Sequence, residues 1–211
     1  GTGRLPTRQI EYDQPIKLSG GLTQEQIRII SGADVPDIPV DVTVIMLNDG
    51  YVRPYTQHLL SYDLVRRMNE SDAIERVNLV PDFLLPPEVG FNTMQELGVR
   101  TLSDCVVLFY LDSEELFQWT TLERSRVRVE SSVSYLVVDT ETTAILASDR
   151  LHSTKEYSDS ILKIGEREKA YKEIFSEQGR ILGEKLDIMF SGNRAEPVAH
   201  RPQVTETPSE E

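Results

Sequence analysis

Side chains able to move protons, attack carbonyls or hold metals are scattered along this 211-residue chain without the spacing such chemistry needs. The three histidines, His58, His152 and His200, lie far apart and form no His-x-x-x-His pair, whereas zinc needs three or four converging N, O or S ligands. We therefore expect no metal site. The single cysteine, Cys105, sits inside the apolar run Cys-Val-Val-Leu-Phe-Tyr-Leu, which predicts a small buried hydrophobe rather than a reactive thiol and rules out an internal disulfide. No Gly-x-Gly-x-x-Gly, Gly-Lys-Ser/Thr or Gly-x-Ser-x-Gly is present, so nucleotide use, serine hydrolysis and a bound cofactor are not expected. Asp41, Asp49, Asp104, Asp112, Glu114, Glu115, Asp139 and Glu141 fall mostly at turns and strand ends, where carboxylates are favoured anyway. A hydrolase would need two of them held at a set separation in a cleft, and this stays as an alternative reading. No residue is assigned a catalytic role, and the chain is expected not to be an enzyme.

Two segments have the composition of a binding surface instead. Asp49-Gly-Tyr-Val-Arg-Pro-Tyr55 carries Tyr51, Arg53 and Tyr55, and Leu116-Phe-Gln-Trp119 carries Phe117 and the only tryptophan, Trp119. Tyrosine, tryptophan and arginine dominate the residues on which protein interfaces depend. The plainer reading of Phe117 and Trp119 is that they belong to the core or to a sheet face.

The elements that must position these residues follow from periodicity. Val42-Thr-Val-Ile-Met-Leu47, stopped by Asn-Asp-Gly, predicts a buried central strand and a turn. Residues 56–70 place Leu60, Leu64 and Met68 four apart, which predicts a helix with Thr56 as a cap. Val77-Asn-Leu-Val80 reads as a strand ended by Pro81, Pro86 and Pro87. Residues 91–99 read as a short helix, with Thr93 capping and Gly98 near its end, and residues 105–111 as a central strand. Residues 125–130, 132–138 and 143–147, around Asp139-Thr-Glu-Thr142, predict an antiparallel hairpin. Residues 166–190 form a long helix in which Gly179 and Gly183 are expected to allow close packing on the sheet.

The order predicts an α/β fold: a mixed sheet with parallel β-α-β-α-β order, an added antiparallel hairpin and a long C-terminal helix. Residues 1–39 read as an extended arm whose Thr23 and Gln26 form a capping box for one short helix. Residues 40–192 read as the domain, and 193–211 as a polar tail unable to fold alone.

The net charge is −13 and the ends carry little of it: residues 1–40 contribute −1 and 191–211 contribute −2, leaving −10 to residues 41–190. Such a surface repels phosphate backbones and anionic headgroups, so nucleic acid is not an expected partner. No apolar stretch approaches the ~18 residues of a membrane helix.

The succession of segments has a family resemblance. The strand Val42-Thr-Val-Ile-Met-Leu47 is followed by Ala73-Ile-Glu-Arg-Val-Asn-Leu-Val-Pro-Asp-Phe-Leu-Leu-Pro-Pro87, then Phe91-Asn-Thr-Met-Gln-Glu-Leu-Gly98, Ser103-Asp-Cys-Val-Val-Leu-Phe-Tyr110 and Tyr135-Leu-Val-Val-Asp-Thr-Glu-Thr-Thr-Ala-Ile-Leu146. This order resembles the bacterial rhombotail lipoproteins. More broadly it is similar to envelope domains related to the N-terminal domain of the Tol–Pal translocation protein, the curli secretion lipoprotein and the lipoprotein activators of peptidoglycan synthases. The resemblance spans residues 40–190 and rests on apolar strands and turns rather than catalytic signatures. It implies a lipoprotein exported by a Gram-negative cell and tethered to the membrane through a lipid on an N-terminal cysteine. Together with the acidic α/β core, the polar arm and the missing catalytic motifs, it makes a periplasmic domain that binds another envelope protein the leading expectation. The chain begins Gly-Thr-Gly and has no cysteine before Cys105, so the arm is expected to be the tether from which that anchor is missing. Self-assembly into a structural subunit is the remaining alternative.

Overall fold

The computed structural model describes residues 21–48, 54–121, 124–159 and 165–192. In chain order the elements are α1 (Gln24–Ser31), β1 (Val40–Asn48), α2 (Pro54–Asn69), β2 (Ile74–Leu79), a 3-10 helix (Asp82–Leu84), α3 (Phe91–Thr101), β3 (Cys105–Thr121), β4 (Arg124–Asp139), β5 (Ile145–Asp159) and α4 (Glu166–Gly192). The strands form one mixed sheet in the order β2-β1-β3-β4-β5. β1 pairs in parallel with both β2 and β3, while β3–β4 and β4–β5 are antiparallel. The α/β class, the mixed sheet and the long last helix are as the sequence predicts.

Strand parity sorts the core into two layers. Val42, Val44 and Met46 of β1, Val107, Phe109 and Leu111 of β3, and Val133, Tyr135 and Val137 of β4 pack beneath α2 and α4 with Leu60, Leu64, Phe175, Leu182 and Phe190. The alternate positions Ile45, Leu47, Val106, Leu108 and Val138 pack beneath α3 with Met94, Val80 and Val89. β1 and the first half of β3 are thus buried on both faces, which is why they read as unbroken apolar runs.

Gly179 and Gly183 serve a different neighbour from the one expected. A Cβ at Gly179 would lie 2.7 Å from the Leu60 carbonyl oxygen, and one at Gly183 would lie 2.4 Å from Arg67 Cβ. The glycines therefore bring α4 against α2, not against the sheet, and Ser176 donates to Asp63 across the seam at 2.5 Å. Gly98 lies in the last turn of α3, near its end as expected, but does not itself stop the helix. A Cβ there would stand 2.5 Å from Thr140 Oγ1, so Gly98 seats α3 on the β4–β5 turn, and Leu102, at φ 56°, takes the left-handed turn that stops the helix. Gln178 is fully buried in α4, and its polar ends are used: Oε1 accepts from Ser131 Oγ at 3.0 Å and Nε2 donates to Ser131 O at 3.2 Å.

Candidate functional site

β1 and β3 part company at one end of the sheet. Their last register pair is Asn48 with Leu111. β1 stops there, whereas β3 continues to Thr121 beside β4 and β5. The continuation is a three-stranded antiparallel ribbon, roofed on one side by the first half of α4, where Tyr171, Ile174 and Phe175 meet Val129, Val133 and Tyr157. Asn48 Nδ2 donates to Gln57 Oε1 at 2.6 Å, tying the strand end to α2.

The neighbouring strand β2 ends sooner, at Leu79 opposite Val44. Pro81, Pro86 and Pro87 lack the N–H a ladder needs, so the chain cannot extend the strand. It turns through the 3-10 helix instead. Leu85 and Val89 pack inward on the α3 layer, while Phe83 (84% exposed), Leu84 (56%) and Leu79 (45%) stay in solvent. Isolated exposed apolar residues are ordinary, whereas these three fall within six positions of one another.

The two segments singled out in the sequence both leave this same end of the sheet. Tyr51 and Arg53 lie outside the described residues. Tyr55 is the second residue of α2. Phe117 and Trp119 lie in β3, in register with Val127 and Ser125 of β4. Phe117 is six residues beyond Leu111, or about 20 Å along the strand at ~3.3 Å per residue, so the two segments share an end of the sheet without forming one cluster. Phe83 and Leu84 were not singled out from the sequence. Their signal is an apolar pair between prolines, in a segment whose prolines alone mark it as a loop.

The ribbon face away from α4 is polar throughout its described part. Its cross-strand rows include Asp112–Ser132–His152 and Glu114–Glu130–Thr154. The first row resembles a nucleophilic relay in composition only. Ser132 Oγ accepts from Arg150 Nε at 2.8 Å, and His152 Nε2 meets Thr154 Oγ1 at 3.3 Å, so no histidine is set to take the Ser132 proton. Glu114 and Glu130 face each other, and Arg128 offsets that repulsion at 3.7 Å from Glu130 and 3.1 Å from Glu156.

At the opposite end of the sheet the turn carboxylates hold the backbone. Asp104 Oδ2 accepts from Asp41 N at 2.8 Å, Arg76 donates to Asp41 Oδ2 at 2.8 Å, and Asp139 Oδ1 accepts from Thr142 N at 2.6 Å. These bonds build turns and a strand start. Burial, aided by Asp139 and Asp104, pushes the Cys105 thiol up to about 12, so it stays protonated and unreactive near neutral pH. Among the described residues no three His, Cys, Asp or Glu side chains converge to hold a metal, and no helix is long and apolar enough to cross a membrane.

No family model matches the chain, and no curated protein matches it. Solved structures resemble it in part. PelC from Paraburkholderia phytofirmans, solved as a dodecamer, is 12% identical over 70% of this chain and 86% of that one, with a TM-score of 0.43. A hypothetical protein from Chlamydia trachomatis is 16% identical over 72% and 98%, at 0.48. A lipoprotein from Neisseria meningitidis is 15% identical over 66% and 99%, at 0.40. Lipoproteins from Caulobacter crescentus (described as putative) and Acinetobacter baumannii are also among the structures it resembles.

Proposed function

We propose that this chain is a non-enzymatic, periplasmic domain of a bacterial lipoprotein, and that it binds another envelope protein through the end of the sheet where β1 and β2 stop. The observation that carries the reading is the exposure of three apolar side chains, Leu79, Phe83 and Leu84, at and just before a proline-bounded turn. Tyr51, Arg53, Tyr55, Phe117 and Trp119 are the further residues we assign to partner contact, on residue type alone: tyrosine, tryptophan and arginine are enriched among the residues on which interfaces depend. The acidic surface favours a protein partner over nucleic acid. Attachment to the membrane is through a lipid on a residue preceding the arm.

The test compares the native protein with Phe83→Asp/Leu84→Asp in its own envelope. Because both side chains stand in solvent, the double variant keeps its fold, seen as an unchanged thermal transition. It should lose by at least tenfold a partner that the native protein retains on affinity isolation. A partner retained equally by both proteins would place the interface elsewhere.

A further inference from the structure

The two edges of the sheet are unlike. β2 is six residues long and its register slips at Val40/Asp41, both devices that blunt an edge. β5 is fifteen residues long, contains no proline, and pairs with β4 without irregularity from Ala147 to Asp159. Among the described residues no strand lies on its outer side. An edge of this length is a template for another strand.

We propose that this edge pairs antiparallel with the same edge of a second copy, with His152 on the two-fold axis, to make a continuous ten-stranded sheet. Strand parity permits only registers in which facing residues share a sheet face. Of these, the one centred on His152 pairs Ala147 to Tyr157 within the regular stretch and sets the two acidic and two basic helix-face residues of the paired β5 strands against each other. In that register Asp149 faces Lys155 of the partner subunit, and Lys155 faces Asp149 of the partner subunit. Ala147 faces Tyr157 of the partner subunit, Arg150 faces Thr154 of the partner subunit, and no like charges meet. The helix-face charges do not oppose the pairing, because α4 already neutralises them: Lys185 is bonded to Asp149, and Glu173 to Lys155. Joining two copies extends each into an alternating row of Lys185, Asp149, Lys155 of the partner subunit and Glu173 of the partner subunit. Opposite charges facing across strands are attractive, and an edge-to-edge two-fold closes on itself without growing into a fibre. The surface is separate from Leu79, Phe83 and Leu84, so its failure leaves the partner-binding reading standing.

The experiment is sedimentation of the whole chain over a concentration series, joined to disulfide trapping. Facing Cβ atoms lie about 4.5–5.5 Å apart, within reach of a disulfide after small adjustment. His152→Cys, at an exposed position, should cross-link to a dimer under mild oxidant. Thr154→Cys should not, because its two copies lie four residues out of register, about 13 Å apart. Cys105 is buried and does not compete. The expected result is a mass that doubles with concentration, with trapping at 152 and not at 154. A monomer at every concentration, no trapping at 152, or equal trapping at both positions would overturn the proposal.

Discussion

Replacing Gly179 with alanine tests the close approach of α4 to the backbone of α2. The added methyl carbon would stand 2.7 Å from the Leu60 carbonyl oxygen and 3.1 Å from Asp63 Cβ and from Leu64 N. These atoms belong to or adjoin the α2 backbone, which cannot swing aside as the end of a flexible side chain can. Forcing a methyl into such a seam costs about 1–3 kcal/mol. The gain in helix propensity from glycine to alanine returns about 0.8–1 kcal/mol. The net expectation is a loss of about 0–2 kcal/mol. With a urea slope of about 2 kcal/mol/M, the midpoint should fall by up to about 1 M, with the slope unchanged. Gly192, where an added Cβ meets nothing within 4 Å, supplies the control, and its alanine variant should shift the midpoint little. A Gly179→Ala midpoint that rises by the full propensity gain would refute the close approach of α2 and α4.

Three further outcomes are expected. Phe175→Ala empties a fully buried site beneath α4 and should cost about 3–5 kcal/mol in urea unfolding. Cys105 should resist thiol reagents at pH 8 in the native protein and react at once in denaturant; stability should fall as pH rises above 9, where the unfolded thiol ionises but the native one, held near 12, keeps its proton. The Asp149 carboxyl is held below its ordinary value, first by its hydrogen bond from Lys185 and then by the Arg150 N–H, so its contribution is present above the unfolded carboxylate range and fades as pH falls; Lys185→Met should flatten that acid limb in thermal melts.

The buried strands and helices were legible in the sequence because their neighbours are apolar. β1, α2, α3 and α4 were placed within a few residues of their limits, and the first half of β3 stood out through the run from Cys105 to Leu111. The ribbon was legible only in pieces. Periodicity does not predict a strand over residues 148–159, since Ser-Asp-Arg-Leu-His-Ser-Thr-Lys-Glu-Tyr-Ser-Asp is largely polar on both faces. One face meets solvent, and on the other Asp149 and Lys155 are answered by charges of α4, a compensation that periodicity does not show. The glycines of α4 announce a close approach but not its partner, because Ser176 of α4 and Asp63 of α2 meet across 113 residues of sequence. At the candidate site, Tyr51, Arg53, Tyr55, Phe117 and Trp119 could be picked by residue type alone. Phe83 and Leu84 could not, because only the inward turn of Leu85 and Val89 reveals that the preceding pair points outward.

The most direct test of partner binding is site-specific photo-cross-linking in intact cells, with the reactive residue placed at position 83. The control is position 188, where Ile188 is also exposed (68%) but lies on α4. The account predicts one envelope protein joined at 83 and absent at 188, with the product abolished by Leu79→Asp/Leu84→Asp. No product at 83, or the same products at both positions, would contradict it.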